Sequence, residues 1–268
     1  MSSPLCPACA GNVPLIDGIV YGPVASRRLG VSLGVNILPP LQKVCTFNCT
    51  YCQYGWTPPL RAAEIEQVAW PEPGAVAEAV DRALRERPVH APPVDRITLA
   101  GHGEPTMHPA FGAVVEILRE IRDRHAPAAR VAVLSNSTTA HVPSVRAALG
   151  RLDERYMKLD AGDQATLRRM NASAARVARI VDALASLPHV TLQTMFVRDP
   201  RGRLGNTSPP SVASWLDAVA RIRPEAVHLY TLARPPAWPG LEPAARDFLD
   251  GVARQLAARG TPAHVFSS

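Results

Sequence analysis

Six short apolar runs alternate along this chain with longer stretches of helical pattern, and this alternation restricts the possible folds most. Strands that alternate with helices are typical of βα units and of a parallel sheet. Proline and glycine mark the joins, for example at residues 71–74 and 235–240. The predicted strands span residues 32–38, 96–100, 130–134, 156–160, 190–197 and 226–231, and the predicted helices span residues 74–87, 110–125, 142–149, 174–187, 211–222 and 243–259.

The number of units indicates an open rather than a closed barrel. A closed barrel has eight βα units in about 250 residues. Six units and an N-terminal extension account better for 268 residues, of which 47% are hydrophobic. We therefore predict one α/β domain, an open partial (β/α)6 barrel over residues 21–268, after an extension over residues 1–20. Ligands of such sheets lie at the carboxyl ends of the strands, where the motifs are expected.

Three cysteines follow the first predicted strand with C-x3-C-x2-C spacing: Cys45, Cys49 and Cys52. Three thiolates in one loop can hold three corners of an iron–sulfur cube. The missing fourth ligand leaves one iron open to an exogenous ligand. The alternative is a zinc knuckle completed by a histidine. The closest histidine in sequence is His90, and the spacing, with Tyr51 before the third cysteine, favours the cluster.

A second motif, Gly101-His102-Gly103-Glu104-Pro105, follows the second predicted strand. Glycine lets the backbone approach a ligand closely, and Glu104 offers a carboxylate at the end of the strand. We interpret His102 as a solvated loop side chain.

Ser135 and Asn136 follow the third predicted strand. Their short polar side chains are suited to bonding a ribose or to capping the next helix.

Polar residues inside the later strands predict a ligand-lined interior. A polar side chain on the buried outer face of a covered sheet is costly, so the barrel interior is its favoured place. Strand alternation puts Lys158 and Asp160 on one face, and His228 and Tyr230 on one face. With Gln193 they form the predicted substrate pocket, in which Lys158 and Asp160 are the candidate catalytic residues. A structural Lys158–Asp160 ion pair is the alternative.

The cysteine triplet resembles the signature of the radical S-adenosylmethionine (SAM) superfamily. The resemblance implies a [4Fe–4S] cluster whose open iron chelates SAM, and reductive cleavage of SAM to a 5′-deoxyadenosyl radical that abstracts hydrogen from a substrate. It further implies that Tyr51 packs against the adenine, that the segment Gly101, Gly103, Glu104 and Pro105 binds the amino group of SAM, and that Ser135, Asn136 and Asp160 complete the cofactor site. Such an enzyme needs a reducing electron donor such as flavodoxin or ferredoxin.

Further segments are similar to a bacterial subgroup related to the tRNA wyosine-base synthases. That family implies a tRNA substrate and a second cluster held by three extra N-terminal cysteines. This chain has only Cys6 and Cys9 there, so the role of this pair, in metal binding or as a redox pair, stays open. The similar segments are residues 21–24, 26–30, 32–36, 158–163, 193–197 and 229–236.

Composition leaves the partner open. The net charge is +6, yet only two of the 29 basic residues are lysines, and the arginines are scattered along predicted helices. A solvated surface explains most of them, while nucleic acid stays an alternative partner. No apolar run suits a membrane span and no signal-peptide pattern begins the chain, so we expect a cytoplasmic protein. The leading hypothesis is a radical SAM enzyme acting on a small molecule or peptide, with tRNA modification or a non-enzymatic iron–sulfur protein as alternatives.

Overall fold

The computed structural model describes residues 13–59, 64–65 and 67–266. Its contacts define two compact units. The first unit contains residues 15–44 and 60–157, and the second contains residues 1–14, 45–59 and 158–268. The cysteine triplet and the segment around Glu104 therefore belong to different units.

The first unit is built on parallel strands with one antiparallel edge. Strand β1 pairs antiparallel with β2, and β2, β3, β4 and β5 then pair in parallel in that order. Leu33, Ile97 and Val131 are neighbours in this register and are almost completely buried. The strands are β1 (Val20–Ser26), β2 (Gly30–Val35), β3 (Arg96–Leu99), β4 (Arg130–Ser135) and β5 (Glu154–Lys158).

Three helices of the first unit follow its strands: α1 (Pro73–Arg85), α2 (Phe111–His125) and α3 (Pro143–Gly150). In α1, a proline begins the helix, and the buried residues Val76, Val80 and Leu84 recur every four positions. This spacing forms one apolar stripe along the helix.

The second unit contains strands β6 (Val190–Met195), β8 (Ala226–Tyr230) and β10 (Ala263–Phe266), which pair in parallel with β8 in the middle. Strands β7 (Val197–Arg198) and β9 (Glu242–Pro243) form a short antiparallel pair. Its helices are α4 (Gln164–Asn171), α5 (Val177–Ala185), α6 (Pro209–Ile222) and α7 (Arg246–Ala258).

Trp215 of α6 anchors the core of the second unit. Its ring packs edge-on against Phe196 at 5.2 Å, and its indole nitrogen donates to the Leu159 carbonyl at 2.9 Å. A Cβ atom at Gly162 would lie 2.0 Å from the Ser214 carbonyl oxygen, so the chain passes α6 where only glycine fits. This contact fixes the segment directly after Asp160.

All six predicted strands are present, and the prediction lacked strands β1, β9 and β10 and helix α4. The first strand ends at Val35 rather than at residue 38. The sequence pattern missed β1, because its residues lie at a half-exposed edge, and β10, because four residues are too few to show a period. It also missed α4, although Asp163 caps this helix by accepting from the Thr166 amide, a recognisable start signal. Among the described residues, no helix is long and apolar enough to cross a membrane.

Candidate functional site

The cysteine loop, residues 45–59 of the second unit, is held by the C-terminus of α4. The backbone amide of Asn48 donates to the backbone carbonyl of Asn171 at 2.8 Å. The backbone amide of Thr50 donates to the backbone carbonyl of Met170 at 2.9 Å. These carbonyls belong to the last turn of the helix, which has no partners within the helix. The loop therefore caps α4, and the helix fixes the backbone on both sides of Cys49.

The three cysteines of this loop carry thiols; Cys49 is buried, and Cys45 and Cys52 are half-buried. Burial, together with the nearby Cys52, raises the pKa of the Cys49 thiol to about 11. A metal displaces the proton of such a thiol, and the Sγ atom already accepts a hydrogen bond from Asn171 at 3.2 Å, as a thiolate ligand would. Among the described residues, no group of three or more His, Cys, Asp or Glu side chains is arranged to hold a metal ion. Three thiols from one loop are the donor set that an iron–sulfur cluster takes from a protein, so the residues present fit such a cluster.

A polar cluster lies beside Cys49, in which Tyr51, Asp160 and Asn171 are buried and Lys158 and Tyr230 are half-buried. The Tyr51 hydroxyl donates to the Asp160 carboxylate, and the Asn171 amide donates to both, at 3.0 Å and 3.1 Å. The cluster brings Tyr51, which the resemblance places at the adenine, together with Lys158, Asp160 and Tyr230 of the predicted substrate pocket.

Lys158 is enclosed by oxygen atoms and aromatic rings. Its ammonium donates to the Tyr230 hydroxyl at 2.7 Å, lies 3.6 Å from the Asp160 carboxylate, and lies 5.0 Å from the centre of the Tyr51 ring. Burial by itself lowers the pKa of Lys158, but the charge of Asp160 and the hydrogen bond to Tyr230 outweigh burial and raise it. The ion pair proposed as the alternative is therefore present, as part of a larger cluster.

Strand register places the other predicted pocket residues. Gln193 of β6 pairs with His228 of β8, and Met195 pairs with Tyr230, so Gln193, His228 and Tyr230 share one face. The His228 ring packs edge-on against Phe266 of β10 at 5.0 Å. Their role in binding a substrate stays a prediction.

In the first unit, Glu104 is buried and accepts four hydrogen bonds. One oxygen accepts from the Thr106 amide at 3.1 Å, the Thr106 hydroxyl at 2.5 Å and the Ser135 hydroxyl at 2.9 Å, and the other accepts from the Asn136 amide at 2.6 Å. Burial raises the pKa of Glu104, and these bonds oppose the rise. The segments at the ends of β3 and β4 thus hold one carboxylate in a fixed position.

The two glycines before Glu104 serve the packing of the first unit itself. A Cβ atom at Gly103 would lie 2.0 Å from the Val44 carbonyl oxygen, and one at Gly101 would lie 2.1 Å from the side-chain oxygen of Asn36. The Glu104 amide donates to the same Val44 carbonyl at 2.9 Å. The glycines therefore allow close approach of the backbone that precedes Cys45. Pro105 follows as the first residue of a short 3-10 turn.

The interpretation of His102 as a solvated side chain is wrong. The ring is completely buried; its Nε2 donates to the Pro39 carbonyl at 2.8 Å, and its Nδ1 accepts from the Ile16 amide at 3.1 Å. Burial lowers the pKa of His102. The neutral ring thus joins two backbone segments, which the loop sequence alone does not reveal.

The helix-capping alternative for Ser135 and Asn136 is also wrong. Helix α3 begins at Pro143, and its cap residue Val142 makes no side-chain cap bond. The Asn136 side chain instead accepts from the amide and the hydroxyl of Thr138, at 3.0 Å and 2.7 Å. Both residues therefore shape the loop around Glu104.

Asn171 and Thr106 are the polar residues at these two sites that the sequence analysis missed. Asn171 ends α4 just before Ala172, whose φ of 40° is left-handed. An asparagine at a helix end looks like an ordinary stop signal, so only the fold reveals its contacts. The pair Cys6 and Cys9 lies outside the described residues.

Sequence and fold comparisons agree with this chemistry. A family model of the radical SAM superfamily matches residues 40–199, more than half of the chain, and includes both the cysteine triplet and Glu104. The chain belongs to the radical SAM superfamily. Membership implies a [4Fe–4S] cluster and SAM as cofactors.

Two curated relatives are similar in sequence. A UPF0026 protein of Helicobacter pylori is 28% identical over 81% of this chain and 67% of that protein. A UPF0026 protein of Synechocystis is 35% identical over 57% of this chain and 52% of that protein. The matched part thus spans between about half and two thirds of these relatives.

Three solved structures share the fold. A radical SAM methyltransferase from Sphaerobacter thermophilus has a TM-score of 0.61 at 16% identity and covers 88% of this chain and 66% of that chain. Streptococcus suis SuiB bound to SAM has a TM-score of 0.62 at 10% identity, over 88% and 50%. TYW1 with a lysine–pyruvate adduct has a TM-score of 0.59 at 17% identity, over 85% and 73%. At these identities the likeness shows the fold alone, and it confirms the predicted α/β partial barrel of radical SAM type.

Proposed function

We propose that this protein is a radical SAM enzyme that generates a 5′-deoxyadenosyl radical and acts on a small molecule or a peptide. The observation that carries the proposal is the buried Cys49 sulfur, held by Asn171 inside the segment that matches the superfamily. When bound, the cluster supplies the electron that cleaves SAM. Cys45, Cys49 and Cys52 would hold the cluster, and the open iron would take SAM.

The SAM-binding residues are assigned by the same proposal. Glu104 is held rigidly by four protein donors, so its carboxylate needs no rearrangement to receive an ammonium group. Gly101, Gly103 and Pro105 set its backbone, and Ser135 and Asn136 shape the adjoining loop. The resemblance to the superfamily also assigns Tyr51 and Asp160 to this cofactor. A protein that only carried an iron–sulfur cluster would have no use for such a carboxylate.

Lys158 is proposed as the residue that positions the substrate. Its ammonium is kept charged by Asp160 and Tyr230, and its side chain is 19% exposed. A charged lysine binds an anionic or carbonyl oxygen, whereas nucleophilic attack requires the neutral amine. We therefore propose a substrate with a carboxylate or carbonyl group near the reacting carbon. Gln193 and His228, which share one strand face with Tyr230, are its other proposed contacts.

A second candidate is modification of a tRNA base. The shared fold of TYW1 and the net charge of +6 favour it. Phosphate contacts make binding fall steeply with salt. Binding of bulk tRNA that stays flat as the salt concentration rises would count against this candidate and leave the small-molecule or peptide substrate.

The central experiment is anaerobic reconstitution with iron and sulfide, followed by dithionite and SAM. The wild-type protein should bind about four irons per chain and release 5′-deoxyadenosine. Cys49→Ser should abolish the release, because one corner of the cluster is lost. Ser173→Ala, which removes the hydroxyl that donates to the Thr46 carbonyl and accepts from the Ala175 amide, is the loop control. Undiminished release by Cys49→Ser would sink the proposal.

A low-potential flavodoxin or ferredoxin is the proposed physiological electron donor. It should replace dithionite in the same assay. Once a substrate is found, unchanged turnover in Lys158→Ala would remove Lys158 from the mechanism.

A further inference from the structure

Asn171 is a buried amide that points at the sulfur of a proposed cluster ligand. Asn171 is completely buried. The side-chain nitrogen lies 3.2 Å from the Cys49 Sγ, 3.0 Å from the Tyr51 hydroxyl oxygen and 3.1 Å from an Asp160 carboxylate oxygen. Three acceptors thus surround one NH2 group.

The orientation of the amide follows from its neighbours. The Tyr51 hydroxyl gives its own proton to Asp160, so it offers only a lone pair to Asn171. The opposite orientation would place the amide oxygen against a carboxylate and a sulfur, both acceptors. The NH2 group therefore faces Cys49, with one hydrogen for the sulfur and one shared by the two oxygens.

The other end of the amide indicates what this side chain is for. Its oxygen is buried and has no hydrogen-bond partner among the described residues. Burying an unsatisfied oxygen is costly, so a residue selected for packing alone would be apolar. The cost of burying this oxygen is explained if the NH2 group of Asn171 is needed as a donor.

Backbone contacts hold the donor in place independently of the side chain. The Asn171 carbonyl accepts from the Asn48 amide, and the Met170 carbonyl accepts from the amide and the hydroxyl of Thr50. A substitution of the Asn171 side chain therefore leaves the attachment of the cysteine loop to α4 intact.

We propose that Asn171 donates a hydrogen bond to the Cys49 thiolate of the loaded enzyme and thereby raises the reduction potential of the cluster. The inference rests on the proposed function, because it requires Cys49 to ligate a [4Fe–4S] cluster. Reduction adds one negative charge, and a donor to a ligand sulfur stabilises the more negative state. Asn171 is thus a positioning residue that makes the cluster easier to reduce.

The test is a redox titration of the reconstituted protein without SAM. The electron paramagnetic resonance signal of the reduced cluster monitors the titration. Asn171→Leu is nearly the same size and has no donor. We expect full iron content and about a tenfold lower ratio of reduced to oxidised cluster at a given potential, a shift of about 59 mV to more negative values for one electron. Asn171→Ala should shift in the same direction.

Asn206→Leu is the matched control. Asn206 is a buried asparagine whose amide donates to the Asp160 and Met195 carbonyls, at 2.9 Å each, and not to a cysteine. It should lower stability without moving the midpoint potential.

The outcomes separate the two proposals. A wild-type protein that never holds a [4Fe–4S] cluster would defeat the proposed function itself. An unchanged midpoint in fully loaded Asn171→Leu and Asn171→Ala would overturn this inference alone. Loss of folding or of iron in both variants would also overturn it, because it would assign Asn171 a structural role.

Discussion

Lys158 donates a hydrogen bond to the Tyr230 hydroxyl across 2.7 Å, within the second unit. The same ammonium balances the fully buried side chain of Asp160 at 3.6 Å. Lys158 and Tyr230, which were predicted on separate strands, thus belong to one hydrogen-bonded cluster with Asp160.

We expect Lys158→Met to lower the free energy of unfolding by about 1–3 kcal/mol, because the buried Asp160 loses its counter-charge and Tyr230 loses its donor. Urea unfolding of the purified protein measures this change. Arg246→Met, which breaks the exposed pair with Asp250, is the control and should cost less than about 1 kcal/mol. Equal effects of the two substitutions would contradict a buried role for Lys158.

Glu104→Gln should weaken SAM binding, because it removes the charge proposed to receive the amino group. We expect the dissociation constant of the reconstituted protein to rise roughly tenfold to a hundredfold, measured by calorimetry. The variant should also lose about 1–3 kcal/mol of stability, because an amide hydrogen would face protein donors. Glu120→Gln, at an exposed position of α2, is the control for both measurements. Wild-type affinity for SAM in Glu104→Gln would remove Glu104 from the cofactor site.

Stability should fall in mild acid because of two buried histidines of the first unit. Burial lowers the pKa of His102 and of His108, and each ring accepts a backbone hydrogen bond that protonation would remove. A lowered pKa in the folded chain means that the unfolded chain takes up protons first, so stability is present above about pH 6.5 and is lost as the pH falls below it.

Urea unfolding between pH 7.5 and pH 5 measures this dependence. His102→Gln should lower stability at pH 7.5 and should flatten the pH profile, since the titrating ring is gone. His90→Gln, at an exposed position, should reproduce the wild-type profile. A wild-type slope retained in His102→Gln would show that His102 does not contribute.

Gly103→Ala should destabilise the first unit, because the new Cβ atom would lie 2.0 Å from the Val44 backbone oxygen. Backbone cannot move away as a flexible side chain can, so we expect a loss of about 1–3 kcal/mol in the free energy of unfolding. Gly74→Ala is the matched control: nothing lies within 4 Å of its added Cβ in α1, and alanine should raise helix stability by up to about 1 kcal/mol. A neutral Gly103→Ala would contradict the close approach.

Patterns of local sequence were enough for the class of protein and for most of its strands. The C-x3-C-x2-C spacing and the G-x-G-E run are local, and each follows a strand of strong apolar pattern, so both could be read without a fold. The weak elements could not be predicted in this way, because β10 has only four residues and α4 is polar around most of its surface.

Residues far apart in sequence decided the rest. The loop sequence predicts a solvated His102, but Pro39 and Ile16 bond the two ring nitrogens in the fold. Ribose contact and helix capping were both predicted for Asn136 from its local sequence. Only the start of α3 at Pro143 excluded helix capping.

The sequence by itself determined which chemistry the chain can support, because cluster and cofactor ligands are specified by residue type and short spacing. Only the tertiary structure decided which side chains surround the cysteines. Asn171, 122 residues from Cys49, reaches its sulfur because the end of α4 is capped by the cysteine loop. Hydrogen bonds and ion pairs act over a few ångströms in space, and separation along the chain carries no record of them.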